Sequence, residues 1–336
     1  MKKLFALVLT VLLAAGTVTL PALAATPAMA QSSAELLYSL GLFRGVGNNA
    51  DGTPNFDLNR STTRAEAVTM LVRLLGAEEQ AQRAVQALPF SDVPNWARPY
   101  VSYAYRQGYT KGISATLFGP SETVTPAQYL TFLLRTLGYA DGTDFSWKSP
   151  FTLSDQLGVT NGEYSASSSF LRGDAAVVSA NALTAQRKAD GKTMLEQLAS
   201  QGILSDRNLV IWGCTPLNAD NGYVSFLFYP VKGSPSTFST FKVDKVTVNG
   251  QSCQTLQVTN TKEASAYLAS IGESSGGFGY IEVTFDQNAA LAAAKETFRN
   301  AAGKTQPWLI FDFSCTGVRM DGVKVTEEFV YYQAPV

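Results

Sequence analysis

The stretch from Phe90 to Gly138 recurs in this chain, and the recurrence constrains the fold more than any other feature. It opens Phe90-Ser91-Asp92-Val93-Pro94-Asn95-Trp96-Ala97, passes through Gly108-Tyr109-Thr110-Lys111-Gly112 and Phe118-Gly119-Pro120, and closes at Gly138. An earlier copy covers about 33–76. There Gly41-Leu42-Phe43-Arg44-Gly45 answers Gly108 to Gly112, and Phe56, Thr63, Arg73 and Gly76 answer Phe118, Thr125, Arg135 and Gly138. A worn copy at about 148–184 keeps Leu157-Gly158-Val159-Thr160-Asn161-Gly162, followed by Leu171-Arg172-Gly173-Asp174. Chance seldom keeps paired glycines, a cap and a closing glycine in one order, so the self-similarity is a strong signal.

Each copy reads as helix, loop, helix. In the second, Asn95 is the expected N-cap of a helix over Trp96–Gln107, with Pro99 in the first turn and Gly108 as the stop. Thr125-Pro126-Ala127-Gln128 then reads as a capping box with proline at the first helical position, leading into Tyr129, Leu130, Phe132, Leu133, Leu134 and Leu137. In the first copy a short helix is expected over Ala34–Leu40, and Thr63-Arg64-Ala65-Glu66 is a second capping box. Thr63, Glu66, Thr125 and Gln128 are therefore structural caps. Arg64 is not needed by the cap, and a cation near a helix N-terminus is mildly unfavourable, which suggests an anion as its partner. In the third copy Leu171 cannot cap and Gly173 weakens the first turn, so a poor helix start is expected there. Thr193–Ser200 reads as one further short helix.

The first loop is longer, and Asn48-Asn49-Ala50-Asp51-Gly52 in it reads as turn chemistry. A calcium loop is the alternative, although the acidic spacing of an EF-hand is missing. No metal site or cofactor is expected. The sequence contains no histidine, which removes Ser-His-Asp and Cys-His catalysis and imidazole metal sites.

Met1-Lys2-Lys3 and the apolar run Leu4–Leu13 read as a signal peptide, with small-residue cleavage sites at Ala22-Leu23-Ala24 and Ala28-Met29-Ala30. Cleavage after Ala30 is preferred because Gln31 opens the polar mature sequence, so residues 1–30 are expected to be removed and no membrane contact to remain. The formal net charge of −1 gives no general pull toward nucleic acid or anionic lipid. Cys214, Cys253 and Cys315 all lie in the C-terminal part, where one disulfide or three thiols are both compatible with the sequence.

The second copy, with its Phe-x-Asp…Trp opening and paired glycines, and the Thr-Arg-Ala-Glu tetrapeptide of the first resemble the S-layer homology repeat of bacterial surface proteins. The resemblance implies a pseudo-threefold helical domain over 31–205 with sugar-binding grooves between repeats. It further implies a secondary cell-wall polysaccharide as partner, often carrying pyruvylated, anionic sugars. Carried over residue by residue, the ligand-binding candidates are Arg64, Trp96, Lys111, Gly112, Arg44 and Arg172: cations for a carboxylate, an indole for a sugar ring, and glycine for close approach. The match is uneven. The first copy lacks the aromatic opening, Pro126 and Gln128 replace arginine and glutamate in the second, and the third keeps only Arg172. Three equal sites are not expected.

Beyond Asp206 the pattern changes to β-rich runs, several alternating, as in Phe241–Val248, with Asn249-Gly250 as a hairpin turn. Gln287–Asn300 reads as a helix and Lys262–Ile271 as another candidate; Gly272–Gly279 reads as a loop without the Lys-Ser/Thr ending of a phosphate site. The expected class is α+β and multidomain, with a helical repeat domain over 31–205 and a sandwich-like β-rich domain over 206–336. The functional expectation is wall anchoring and display, without enzymatic activity. The alternatives are a wall-anchored carbohydrate-active enzyme using Glu282, Asp286 or Asp312 as a carboxylate pair, and a structural S-layer subunit that assembles with other surface-layer proteins.

Overall fold

The computed structural model describes residues 7–8, 27–83, 87–205, 210–258, 266, 269, 279–295, 297–299 and 305–333. The chain divides into a helical unit, Ala24–Asp206, and a β-rich unit made of Met1–Leu23 with Arg207–Val336.

The helical unit holds α1 (Pro27–Ser39), α2 (Arg64–Leu74), α3 (Glu78–Arg83), α4 (Arg98–Arg106), α5 (Pro126–Thr136), α6 (Phe151–Gln156), α7 (Arg172–Ala182) and α8 (Met194–Ser200). The second helices of the three repeats, α2, α5 and α7, each pack on the other two and form the centre. Their apolar faces are nearly all buried, from Val68 and Leu71 through Tyr129, Leu130 and Leu133 to Val178. Both expected capping boxes form: Thr63 with Glu66 and Thr125 with Gln128. Thr193 and Glu196 make another at the start of α8.

The repeats are stitched together at these helix starts. Arg64 N donates to Glu122 O and Ala65 N to Pro120 O, so the loop of the second repeat satisfies the first turn of α2. Likewise Arg172 N donates to Arg60 O and Gly173 N to Leu58 O, from the loop of the first repeat to α7. At the same position of α5 stands Pro126, which has no N–H to give.

Several expectations need correction. The start of α7 is not poor. Leu171 indeed offers no acceptor, but Asp174 accepts from Leu171 N at 2.6 Å, and the Arg60 and Leu58 carbonyls supply the rest. Gly173 is there for space, since a Cβ on it would lie 2.9 Å from Ala30 Cβ and 3.2 Å from Leu58 O. Helix α4 begins at Arg98 rather than Trp96. Asn95 is not its cap; the cap residue is Ala97, and the Pro94 carbonyl accepts from both Ala97 and Arg98. Helix α1 starts at Pro27, well before Ala34, and buries Ala30. The helical unit therefore begins ahead of residue 31.

In the first loop, β2 (Gly47–Asn48) and β3 (Pro54–Asn55) form a small hairpin, and Asp51 Oδ1 accepts from Thr53 N and Oγ1 at 3.0 and 2.6 Å. This is the turn chemistry expected of that stretch.

The β-rich unit is two sheets face to face. One orders β1-β4-β5-β9-β8, from β1 (Leu7–Val8), β4 (Ile211–Asp220), β5 (Tyr223–Pro230), β9 (Gly279–Thr284) and β8 (Gln254–Val258). The other orders β13-β12-β6-β7, from β13 (Lys324–Gln333), β12 (Leu309–Arg319), β6 (Phe238–Val248) and β7 (Gln251–Ser252). Apart from the parallel β1–β4 pair, the ladders of both sheets are antiparallel. Leu7–Val8 is the only part of the expected leader before Pro27 among the described residues. Phe226 meets Phe311, Phe313 and Tyr331 across the interior at 4.9–5.1 Å between ring centres. Buried residues alternate with less buried ones along β12, with Asp312 exposed.

The expected helix over Gln287–Asn300 is shorter: α9 covers Gln287–Ala292, capped by Asp286, and Thr297–Arg299 (β10) pairs with Thr305–Pro307 (β11). The β-branched and aromatic pair Thr297-Phe298 suits a strand better than a continued helix. The helix candidate at Lys262–Ile271 and the glycine-rich loop before Gly279 lie almost wholly outside the described residues. Cys214 and Cys315 face the interior, whereas Cys253 is partly exposed and donates to Val246 O.

Candidate functional site

A cavity of about 400 Å³ opens between the second repeat and the segment leading into the third, lined by Arg64, Lys111, Gly112, Gln128, Arg135, Asp141 and Trp147 among others. Of the residues singled out in the sequence, Arg64, Lys111, Gly112 and the cap Gln128 meet here.

Arg64 forms the floor. It is 5% exposed, its Nη2 donates to Lys111 O at 2.6 Å, and its guanidinium lies over the rings of Phe118 and Phe132 at 4.9 and 5.2 Å. The placement explains why an arginine is found in the first turn of α2: the side chain leaves the helix end and ties two repeats together. Burial pulls its pKa down to about 10, with Glu122 opposing and Arg135 adding to the shift, so it remains charged at neutral pH. Its Nε has no hydrogen-bond partner among the described residues.

Lys111 stands at the rim with its side chain 68% exposed, and Arg135 on α5 is largely covered. Both face Asp141, Arg135 at 3.4 Å and Lys111 at 3.8 Å. Asp141 also accepts from the Trp147 backbone N–H at 3.0 Å, which holds that residue at the cavity wall. Trp147 is 50% exposed, and Lys148 Nζ lies 5.5 Å from its ring centre. Gly112 has no room for a side chain, since a Cβ would meet Phe90 Cε1 at 2.4 Å and Ser114 O at 2.5 Å. The balance is three guanidinium or ammonium groups to one carboxylate, around an open space with a flat apolar wall. That set can hold a carboxylate on a ring-shaped, polar ligand.

Arg172 is the counterpart of Arg64 in the third repeat. Its Nη2 donates to Arg44 O at 3.0 Å, its Nε to Phe56 O at 2.8 Å, and its guanidinium lies 4.8 Å from the Phe43 ring. Arg44 points instead to Glu78, at 2.8 Å. Trp96 is 54% exposed just before α4 and does not line the cavity; Trp147 is the indole there. Asp92, in the Phe-x-Asp opening, accepts from Phe118 N and Gly119 N at 2.8 Å each and so closes the loop of its repeat.

Sequence reasoning missed Asp141 and Trp147, which fall in the connector between the second and third copies. A signal existed: Trp147 precedes Gly158 at nearly the spacing by which Trp96 precedes Gly108. Arg135 was visible only as the repeat partner of Arg73.

In the β-rich unit, Glu282 sits between the inward Ile281 and Val283 on one sheet, and Asp312 between the inward Phe311 and Phe313 on the other. They point away from the interior on opposite sheets, while Asp286 caps α9. These three carboxylates do not converge. Among the described residues no group of His, Cys, Asp and Glu is placed to hold a metal ion, and no helix is long and apolar enough to cross a membrane.

Residues 89–130 match the S-layer homology domain. The chain is 32% identical over 209 residues to a "Cell surface protein" of Thermoanaerobacter kivui, covering 58% of this chain and 26% of that protein. It is 29% identical over 156 residues to the "Middle cell wall protein" of Brevibacillus brevis, covering 46% and 14%. It is also 33% identical over 110 residues to an "Endoglucanase" of a Bacillus species, covering 29% and 12%. The chain thus spans about a quarter or less of the length of these relatives. It carries an S-layer homology domain on its second repeat and stands among bacterial cell-surface proteins.

Proposed function

We propose that the helical unit anchors this chain to the bacterial cell wall by binding an anionic secondary cell-wall polysaccharide, with pyruvylated sugars, and that the β-rich unit is the displayed part. The observation that carries the reading is the excess of cations, Arg64, Lys111 and Arg135 against Asp141, around an open cavity walled by a half-exposed indole. Lys111 and Arg135 take the sugar carboxylate, Arg64 supplies positive potential from below, and Trp147 offers its free edge and face to the ring. Asp141 keeps the two cations in place until the ligand arrives.

The display reading needs no catalytic group. The enzyme alternative is favoured by the endoglucanase relative, but the carboxylates that would serve it point away from each other, so display is the better reading. The test is calorimetric titration of the full chain with a synthetic methyl glycoside of a pyruvylated N-acetylhexosamine. Lys111→Ala and Trp147→Ala should each lower affinity roughly tenfold, the scale of one charge-assisted contact, without moving the thermal transition. Equal affinity in both variants and the parent protein would overturn the groove assignment.

A further inference from the structure

The first repeat carries the same pair of cations as the second, but its anion position is already taken. The repeat register sets Arg44 against Lys111 and Arg73 against Arg135. The floors correspond as well, since Arg172 donates to the Arg44 carbonyl as Arg64 does to that of Lys111. What differs is the carboxylate. In the second repeat Asp141 stays 3.4 and 3.8 Å from its two cations and faces both with a single oxygen. In the first, Glu78 on α3 reaches Arg44 Nη2 at 2.8 Å with one oxygen and Arg73 Nη2 at 3.1 Å with the other. The second oxygen also accepts from Tyr100 Oη at 2.7 Å and from Arg73 Nε at 3.1 Å. The Glu78 side chain is only 14% exposed, and the Arg73 guanidinium lies over the Tyr100 ring at 5.7 Å. A carboxylate held by two guanidinium groups and a phenol is the arrangement that a carboxylated sugar would seek.

We infer that Glu78 is the resident occupant of a second anion-binding groove, standing where a ligand carboxylate would stand, and that removing its charge uncovers a further site for carboxylated sugars. The inference rests on the reading of the second-repeat groove given above. Of these two grooves, one is then open and the other self-filled.

The experiment titrates the same pyruvylated N-acetylhexosamine glycoside into four full-length proteins: the parent, Lys111→Ala, Glu78→Gln, and the double variant. At ligand concentrations where a tenfold loss of affinity leaves a site unfilled, the expected stoichiometries are one, none, two and one. The decisive protein is the double variant, in which only the first-repeat groove is left to bind. If the parent binds and the double variant does not, Glu78 is a structural ion-pair partner and the inference fails alone. If the parent and Lys111→Ala bind alike, the second-repeat reading fails; if neither parent nor Glu78→Gln binds, both fail. Glu78→Met, which keeps volume without charge, carries the same prediction where Glu78→Gln melts early. Arg44→Ala added to Glu78→Gln should return the count from two to one.

Discussion

Arg64 on α2 donates to the carbonyl oxygen of Lys111, in the loop of the next repeat, at 2.6 Å. The bond joins the start of one repeat's core helix to the paired-glycine loop of another, and Arg172 repeats it with Arg44. An arginine that seemed dispensable to its capping box is therefore a tie between repeats. Arg64→Ala should remove a charge-assisted hydrogen bond and two ring contacts, and leave the Lys111 carbonyl with only the longer bond from Thr110 Oγ1, costing about 2–4 kcal/mol of stability. Arg64→Lys should recover less than half, because an ammonium cannot lie flat over Phe118 and Phe132 while reaching Lys111 O. Denaturant unfolding followed by far-ultraviolet circular dichroism checks this. An Arg64→Ala protein as stable as its parent would contradict it.

Acid should loosen the same region through Glu66. Its carboxylate accepts from Arg60 Nη1 and Nη2 at 2.9 and 2.8 Å and from Thr63 N at 2.9 Å. Burial raises its pKa, but the Arg60 and Thr63 hydrogen bonds and the Arg60 charge outweigh that, and the group falls from 4.5 to about 2. A depressed carboxylate contributes stability that is full above the unfolded value and is lost as pH falls through the folded one. The expected window therefore runs from 4.5 down to about 2. Glu66→Gln should be less stable at pH 7 and should flatten the dependence of stability on pH in that window. Parallel pH curves for variant and parent would rule out this origin.

How much of this was legible beforehand depends on range. Thr63, Glu66, Thr125 and Gln128 were readable as caps because both partners of each box lie within four residues. The β-sandwich was readable from alternation along segments such as β6 and β12. The role of Arg64 was not, since Lys111 and Phe118 come to it only through stacking of repeats. Gly173 looked like decay for the same reason: the Ala30 methyl group that demands a glycine is far away in sequence. Trp147 and Asp141 were missed because the repeat pattern lapses in the connector that holds them.

Export should release a chain that begins after Ala24. Helix α1 runs Pro27–Ser39, and Ala30 packs with its methyl group close to Gly173 and is 5% exposed. Cleavage after Ala30 would remove the first turn of that helix and open the contact with α7. The Ala22-Leu23-Ala24 site leaves α1 whole. Intact-mass measurement of the exported protein distinguishes the two; an N-terminus at Gln31 would contradict this expectation.

The central claim is that the helical repeats hold the chain to an anionic wall polymer through the groove of Lys111, Arg135 and Trp147. Its most direct test is co-sedimentation of the full chain with purified wall sacculi, before and after the non-peptidoglycan polymer is stripped. The account predicts that the parent protein pellets with intact sacculi and stays in solution with stripped ones, and that Arg135→Ala with Trp147→Ala stays in solution with both. Undiminished binding to stripped sacculi, or undiminished binding by a folded Arg135→Ala/Trp147→Ala protein, would contradict it.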